Sequence, residues 1–374
     1  MAEQSSFDVV SGGVVYRSAS GLQGYYPRVV RLSENEFVCS FVAGEALETP
    51  DSHPVITRSV DGGRTWSMQG PVDSGRAASS APTYTETGFI SRGPGSTVFC
   101  LSAHWPIDPD APDAPIVHPE TCGMRRNSML LRRSDDGART WTAAQKVEHG
   151  VDSPLEIPTG VVTLGNGDLL ISFSTWKQWD GTSPYGHQIM VIRSSDNGRS
   201  WSAPVTIFHD PSDRIGYWEC RIAEMASGRL IATCWVHDWQ SDQDINNRYA
   251  LSDDGGISWS APAPLPVAGQ TGWPMPLGGD RVLFAYNHRK TPVGVRALVC
   301  RVTDTACELV SDAAVFEPQV KTESTISSDS YAVTDFQFGA PSVVSLGANK
   351  YMVVYWCVVG GRSGINWTGI ETRG

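Results

Sequence analysis

Two glutamates carry the most specific chemistry in this sequence. Glu156 and Glu219 each open a segment of the same design, EIPTGVVTLGNGDLLISF and ECRIAEMASGRLIATCW: a short strand, a turn, then a strongly apolar strand. If both head inner strands of adjacent repeats, their carboxyl groups converge on one small volume. Burial or mutual repulsion then raises one pKa and leaves an acid beside a base. That pairing is what cleavage of a glycosidic bond requires. The competing reading is that either glutamate only pins a neighbouring arginine, and Arg221 stands two residues from Glu219.

Other polar and aromatic residues recur at the same places in the pattern. Strand starts give Arg28, Tyr84, Trp273 and Gln337-Phe338; strand ends give His104-Trp105, Trp176, His237-Asp238-Trp239 and His288-Arg289. Connections add Asp51 and His53 in TPDSHP, and Asp335 before the last repeat. Taken singly, each histidine reads as a satisfied polar residue at a strand end rather than a catalytic group. His104, His237 and His288 share one equivalent position, but a ring of repeats spreads them too widely for a three-histidine metal site. No metal and no cofactor are expected. Trp176 and Trp273 suit either packing or stacking on a sugar ring.

The elements that position these residues are repeats. The pattern S-x-D-x-G-x-[ST]-W occurs at Ser59–Trp66, Ser134–Trp141 (with Ala138 in place of Gly), Ser194–Trp201 and Ser252–Trp259. Its chemistry is that of a hairpin turn: Asp and Ser bond nearby backbone, Gly supplies a positive φ, and Trp packs between sheets. Ala138 predicts a slightly different turn in its copy. A strand–turn–strand pattern precedes each box and recurs beyond them, starting near Tyr26, Thr83, Glu156, Glu219, Trp273 and Phe338. Six such units, each long enough for four strands, predict an all-β fold: a six-bladed β-propeller of four-stranded antiparallel blades, filling 1–374 as one domain. SGGVVYRSAS near the N-terminus supplies the closing strand, and GVRALVCRVTD and GINWTGIE fit later strands of the last two blades. In such a blade the third-to-fourth turn, the box, lies opposite the face where first strands begin and second strands end. The latter face is the expected ligand site.

Bulk properties narrow the partners. A net charge of −11 with no Lys/Arg cluster argues against nucleic acid, although arginines focused in one pocket still admit an acidic sugar. The eight cysteines show no CxxC pair, and several lie in apolar strands, so buried thiols are expected. Nothing approaches a membrane-spanning run, and no basic segment followed by an apolar stretch opens the chain. A cytoplasmic protein is the expectation, although a secreted one with its signal removed reads the same way.

The four boxes and the repeated strand pairs resemble the sialidase superfamily, the Asp-box or BNR-repeat propellers, over essentially the full length. The resemblance implies an enzyme acting on carbohydrate. Such sialidases bind the substrate carboxylate with three arginines, use a tyrosine nucleophile paired with a glutamate, and take an aspartate of the first blade as acid/base. Residue by residue, ECRIAEMASGRL places the glutamate at Glu219, Asp51 lies in the loop of the acid/base, Arg28 suits the first-blade arginine, and Arg289 or Arg296 the fifth. The chain departs from the pattern at three places. Arg28 sits in YPRVV rather than Arg-Ile-Pro, Cys234-Trp235 stands where an arginine ends the strand, and Gly339-Ala340-Pro341 stands where the nucleophilic tyrosine is found. Tyr331 lies too far upstream to replace it.

Three readings follow. In the first, an exo-acting glycoside hydrolase cleaves a terminal, possibly acidic, sugar with Glu219 and Glu156 or Asp51, anchored by Arg28, Arg221 and Arg289. In the second, a polysaccharide lyase takes a uronate C5 proton with His53, His104, His288 or Tyr84. In the third, the propeller binds glycans without turnover. His237, Trp176 and Trp273 line the pocket in each.

Overall fold

The computed structural model describes residues 7–17, 21–75, 82–319 and 336–373, and every regular element among them is a β-strand. The first strand, β1 (Phe7–Arg17), belongs to the last blade. Blade one holds β2 (Gln23–Arg31), β3 (Phe37–Gly44), β4 (His53–Ser59) and β5 (Ser67–Pro71). Blade two holds β6 (Tyr84–Arg92), β7 (Val98–Pro106), β8 (Ser128–Ser134) and β9 (Gln145–Lys146). In blade three the inner strand is split into β10 (Leu155–Glu156) and β11 (Val162–Thr163), which pair with opposite ends of β12 (Leu169–Thr175); β13 (Ile189–Ser194) and β14 (Val205–Phe208) follow. Blade four holds β15 (Ile215–Glu224), β16 (Leu230–Asp238), β17 (Gln243–Ser252) and β18 (Ala263–Pro264). Blade five holds β19 (Gln270–Gly278), β20 (Arg281–His288), β21 (Gly294–Val302) and β22 (Cys307–Phe316). Blade six runs β23 (Phe338–Gly347), β24 (Lys350–Val359), β25 (Arg362–Thr372), and β1 completes it, antiparallel to β25 from Phe7 opposite Thr372 to Arg17 opposite Gly364.

The ring closes because each sheet is apolar on both faces. β3, β12 and β16 are buried at every residue, as their near-continuous apolar sequences require. A separate core fills each gap between neighbouring blades. One cluster holds Phe41 with Trp356, another Ile56 with Cys100, and a third Leu101 with Phe173; the remaining three hold Leu170 with Val236, Tyr249 with Phe284, and Leu283 with Val353. Six gaps filled around six blades leave none open. Six of the eight thiols, among them Cys39 and Cys234, are buried in these strands.

The four boxes form the third-to-fourth turns. Ser59 Oγ donates to Asp61 (2.8 Å) and accepts from Gly63 N–H (2.9 Å), while Asp61 accepts from Thr65 N–H (2.9 Å). Ala138 does not alter its copy: its N–H donates to Ser134 Oγ (2.7 Å) as the glycines do, and its φ of 66° is also left-handed. The expectation of a different turn is corrected, because the hydrogen-bonded loop holds alanine in the glycine conformation.

Trp356 packs edge-on to Tyr25, ring centroids 5.3 Å apart, across the seam where blade six meets blade one. Trp356→Ala is expected to lower unfolding free energy by about 3–5 kcal/mol in denaturant titrations. Val359→Ala, at an exposed position of the same strand, is expected to change it by less than about 0.5 kcal/mol.

Candidate active site

Irregularities in the inner strands build the site. In β2 the pairing passes from Tyr25 opposite Val42 to Arg28 opposite Ser40, so one extra residue bulges. β15 does the same between Trp218 and Arg221, and β23 between Gly339 and Ser342. The bulging residues Tyr26, Glu219 and Ala340 have φ of 52°, 55° and 48°. Each is a non-glycine residue in the left-handed region, at a cost of about 1–2 kcal/mol. All three line one cavity of about 740 Å³ including its open mouth.

Glu156 and Glu219 meet in that cavity. Glu156 Oε2 accepts from Ser174 Oγ (2.8 Å) and from the Glu219 backbone N–H (3.1 Å). Burial, then the Glu219 charge, pushes the Glu156 carboxyl up to about 7; the two hydrogen bonds and Arg221 oppose this. A third carboxylate, Glu48, reaches the cavity from the β3–β4 connection and accepts from Tyr26 OH (3.0 Å). Burial raises its pKa, and the tyrosine hydrogen bond opposes the shift.

Cations underlie these acids. Arg28, Arg221 and Arg289 are 1%, 3% and 6% exposed, and none has a carboxylate within 4.0 Å among the described residues. Arg28 donates to the carbonyls of Pro27 (2.7 Å) and Pro158 (2.7 Å), and Arg221 to those of Cys220 (3.2 Å) and Glu219 (3.3 Å). The Nε atoms of Arg28 and Arg221 are buried without an acceptor among the described residues. Arg289 bonds Gln270 Oε1 (3.0 Å) and Phe338 O (2.6 Å). Burial lowers its pKa to about 10, and the charges of Glu219, Tyr26 and Asp244 oppose that shift. It lines a side pocket with Asp242, Asp244 and Lys290.

The structure brings together Glu156, Glu219, Arg28, Arg221 and Trp176 at the cavity. Trp273 stacks beneath the Arg28 guanidinium, 5.3 Å from its ring centroid. Trp105 lines it as well, whereas Asp51, His53, Tyr84, His104, His237 and His288 do not. Asp51 accepts from Glu45 N–H (3.0 Å) and Thr49 Oγ1 (2.6 Å) and so braces its own turn, while His53 contacts Asp51 O (2.8 Å). His104 is opposite Glu86 and lies over Tyr84 (4.7 Å), whose hydroxyl donates to Asp73 (2.6 Å). Strand alternation is the reason: Ala103 and Trp105, on either side of His104, take the cavity-facing positions. His237 is held between Asp244 (2.9 Å) and Asp242 (3.2 Å), and His288 bonds Pro292 O (2.9 Å). Asp335 and Tyr331 lie outside the described residues.

Sequence reasoning missed Tyr26 and Glu48. The connection GEALETPDSH offers Glu45, Glu48 and Asp51, and only the turn that Asp51 braces decides that Glu48 points inward. Tyr26 precedes Pro27-Arg28 in a strand start, with no sign of the bulge that turns it to the cavity.

Residues 123–271 match the family described as BNR repeat-like domain. No curated protein sequence matches the chain significantly. Among solved structures, the chain resembles a protein of unknown function from Dyadobacter fermentans at 19% identity, covering 98% of this chain and 100% of that one, with a TM-score of 0.75. A Hadza microbial sialidase is similar at 15% identity over 93% of this chain and 66% of its own, TM-score 0.63. The Penicillium chrysogenum α-L-arabinanase is similar at 14% identity over 97% and 98%, TM-score 0.62. At these identities the structural likeness establishes the fold.

The raised Glu156 pKa sets a stability prediction. Between its ordinary value of 4.5 and about 7 the folded chain holds a proton that the unfolded chain has lost, so this group's contribution falls as pH rises through that window. Glu156→Gln keeps the acceptor for Ser174 and removes the charge. It is expected to match the parent at pH 4 and to exceed it by on the order of 2 kcal/mol at pH 8 in denaturant titrations.

Proposed function

We propose that this Asp-box, BNR-repeat propeller is an exo-acting glycoside hydrolase that cleaves a terminal, acidic sugar, working as one domain and needing no cofactor. The observation that carries this reading is the Glu156–Glu219 pair, in which Glu156 Oε2 meets the Glu219 backbone N–H at 3.1 Å and burial beside the Glu219 charge raises the Glu156 pKa. Glu156 is the general acid and gives its proton to the leaving oxygen. Glu219, on its strained bulge, supplies the second carboxylate. The positive potential of Arg28, Arg221 and Arg289 favours an anionic sugar, and Trp176 offers its ring as a stacking face. The likeness to a sialidase and an arabinanase supports carbohydrate as the substrate class. Of the groups that could take a uronate C5 proton, His53, His104, His288 and Tyr84 do not line the cavity, and the Tyr26 phenol that does line it donates to Glu48 (3.0 Å), which favours hydrolysis.

The test is turnover of aryl sialosides and aryl α-L-arabinofuranosides. Glu156→Gln and Glu219→Gln are each expected to reduce kcat/KM by about 10²–10⁴-fold. Wild-type kcat/KM should fall as pH rises above about 7, where Glu156 loses its proton, and Glu156→Gln should lack that limb. Activity that survives both substitutions sinks the assignment. An ultraviolet-absorbing unsaturated product from a uronate glycan would replace hydrolysis by elimination.

A further inference from the structure

Blade five turns differently from the boxed blades. Its third-to-fourth turn, residues 303–306 between β21 and β22, carries no Asp box and is braced within itself by Thr303. Thr303 N–H donates to Ala306 O (2.8 Å), and Thr303 Oγ1 accepts from Ala306 N–H (3.0 Å). Two cysteines flank this turn. Val302 pairs with Cys307 and Cys300 pairs with Leu309, so Cys300 and Cys307 stand one diagonal apart in the same hairpin.

Both thiols lie on one face of that hairpin. Cys300 belongs to the core between blades four and five, with Val302 and Tyr249, and the half-buried Cys307 packs against the same core. Strand alternation agrees, since Arg301, between Cys300 and Val302, is exposed on the other face. The Cys307 thiol, then burial, pushes the Cys300 pKa up. Burial also pushes the Tyr249 phenol up to about 12, and Cys307, Asp304 and Cys300 add to that shift, so both sulfurs lie near the same ring. Tyr249 OH donates to Thr303 O (3.0 Å) and Arg229 bonds Asp304 (2.5 Å), which docks the turn on blade four.

Diagonal neighbours across a ladder start roughly 7–8 Å apart at their Cα atoms, and a disulfide needs about 6.8 Å or less. The difference is small, and it falls beside a turn rather than in the middle of a sheet. Access is asymmetric: the half-buried Cys307 can meet a small oxidant, whereas Cys300 is buried. Cys220 and Cys234 also neighbour each other, but both are buried, which denies them the first step. We infer that Cys300 and Cys307 form an intramolecular disulfide when a small-molecule disulfide reaches the chain, and that this bond fastens the hairpin that lacks a box. The Cys307 thiolate attacks the oxidant's S–S bond and releases one small thiol. The Cys300 sulfur, giving its proton to solvent, then attacks the Cys307 sulfur of the mixed disulfide and releases the second. Two protein thiols are oxidised and one small disulfide is reduced to two thiols. This chemistry lies at the outer edge of the ring and does not depend on the hydrolase reading.

Arg301 makes the test direct. Trypsin cleaves after Arg296 and Arg301, which leaves Cys300 and Cys307 on separate peptides unless a disulfide joins them. The folded chain is incubated with oxidised glutathione, its remaining thiols are alkylated in denaturant, and the digest is weighed by mass spectrometry without reductant. Peptide 297–301 is expected to appear joined to the peptide that begins at Val302, and the link to vanish on reduction. Oxidation should raise the thermal unfolding midpoint by about 2–4 °C. Cys300→Ser is expected to stop at a glutathione adduct on Cys307, and Cys307→Ser to leave Cys300 unmodified. Neither variant's midpoint should rise with oxidant relative to its own reduced form. Absence of the linked pair, links formed equally with other cysteines, or a linked chain whose midpoint is unchanged or lower overturns the inference. Should both variants fail to fold, the linked peptides and the midpoint of the parent chain still decide it.

Discussion

The guanidinium of Arg28 is the contact on which the centre of the ring depends. It is nearly fully buried and donates to carbonyls of its own blade (Pro27, 2.7 Å), of blade three (Pro158, 2.7 Å) and of blade six (Ala340, 3.4 Å). Its flat faces meet Phe89 of blade two (4.7 Å) and Trp273 of blade five (5.3 Å). Burying a cation without a paired carboxylate costs several kcal/mol, and here carbonyl dipoles and aromatic faces offset that cost together. Burial and the neighbouring Arg221 charge push its pKa well down, and Glu219 opposes them. Arg28 is therefore both a fastener and the floor of the cavity. The carboxyl groups of Glu48, Glu156 and Glu219 share the cavity lining with this buried cation.

The same local device turns side chains into the cavity in more than one blade. A regular inner strand alternates its side chains between the two neighbouring blades and presents none along the axis. One inserted residue in the left-handed conformation breaks that alternation and turns a side chain inward. Tyr26 and Glu219 are both presented in this way. Blade three reaches the same end by interrupting its inner strand between Glu156 and Val162, so that Glu156 can meet the Glu219 backbone. Strain at such positions persists because the sheets on either side over-determine the backbone.

Repetition made the architecture legible in the sequence. Four boxes fixed the turn type, and six strand pairs fixed the number of blades with starts within a few residues of those observed. Glu156, Glu219 and Arg221 were legible for the same reason, since position within a repeat implies position around the axis. For His104 the strand end is legible but the face is not, because His104 differs from the cavity-lining Trp105 only by the parity of a strand. Glu48 and Tyr26 were hidden because a connection and a bulge obey no repeat. Which acid of GEALETPDSH turns inward is decided by hydrogen bonds that no spacing encodes.

Ala340 shows how these constraints interact. It occupies the position in blade six that Tyr26 and Glu219 occupy in blades one and four, with the same left-handed backbone and only a methyl group to present. A strained residue with no reactive side chain needs another reason to persist, and its surroundings supply one. Its carbonyl accepts from Arg28, while a Cβ on the preceding Gly339 would stand 2.7 Å from Trp356 Nε1 and 3.2 Å from an Arg289 nitrogen. The backbone there is shaped by the buried arginines and the blade-six tryptophan, and a large side chain is not what it serves. The phenol of the cavity comes instead from blade one, against Glu48. Carboxyl groups and a phenol therefore gather on blades one, three and four, with apolar side chains of blade two also lining the cavity, and blade six contributes a carbonyl and the room that a missing side chain leaves.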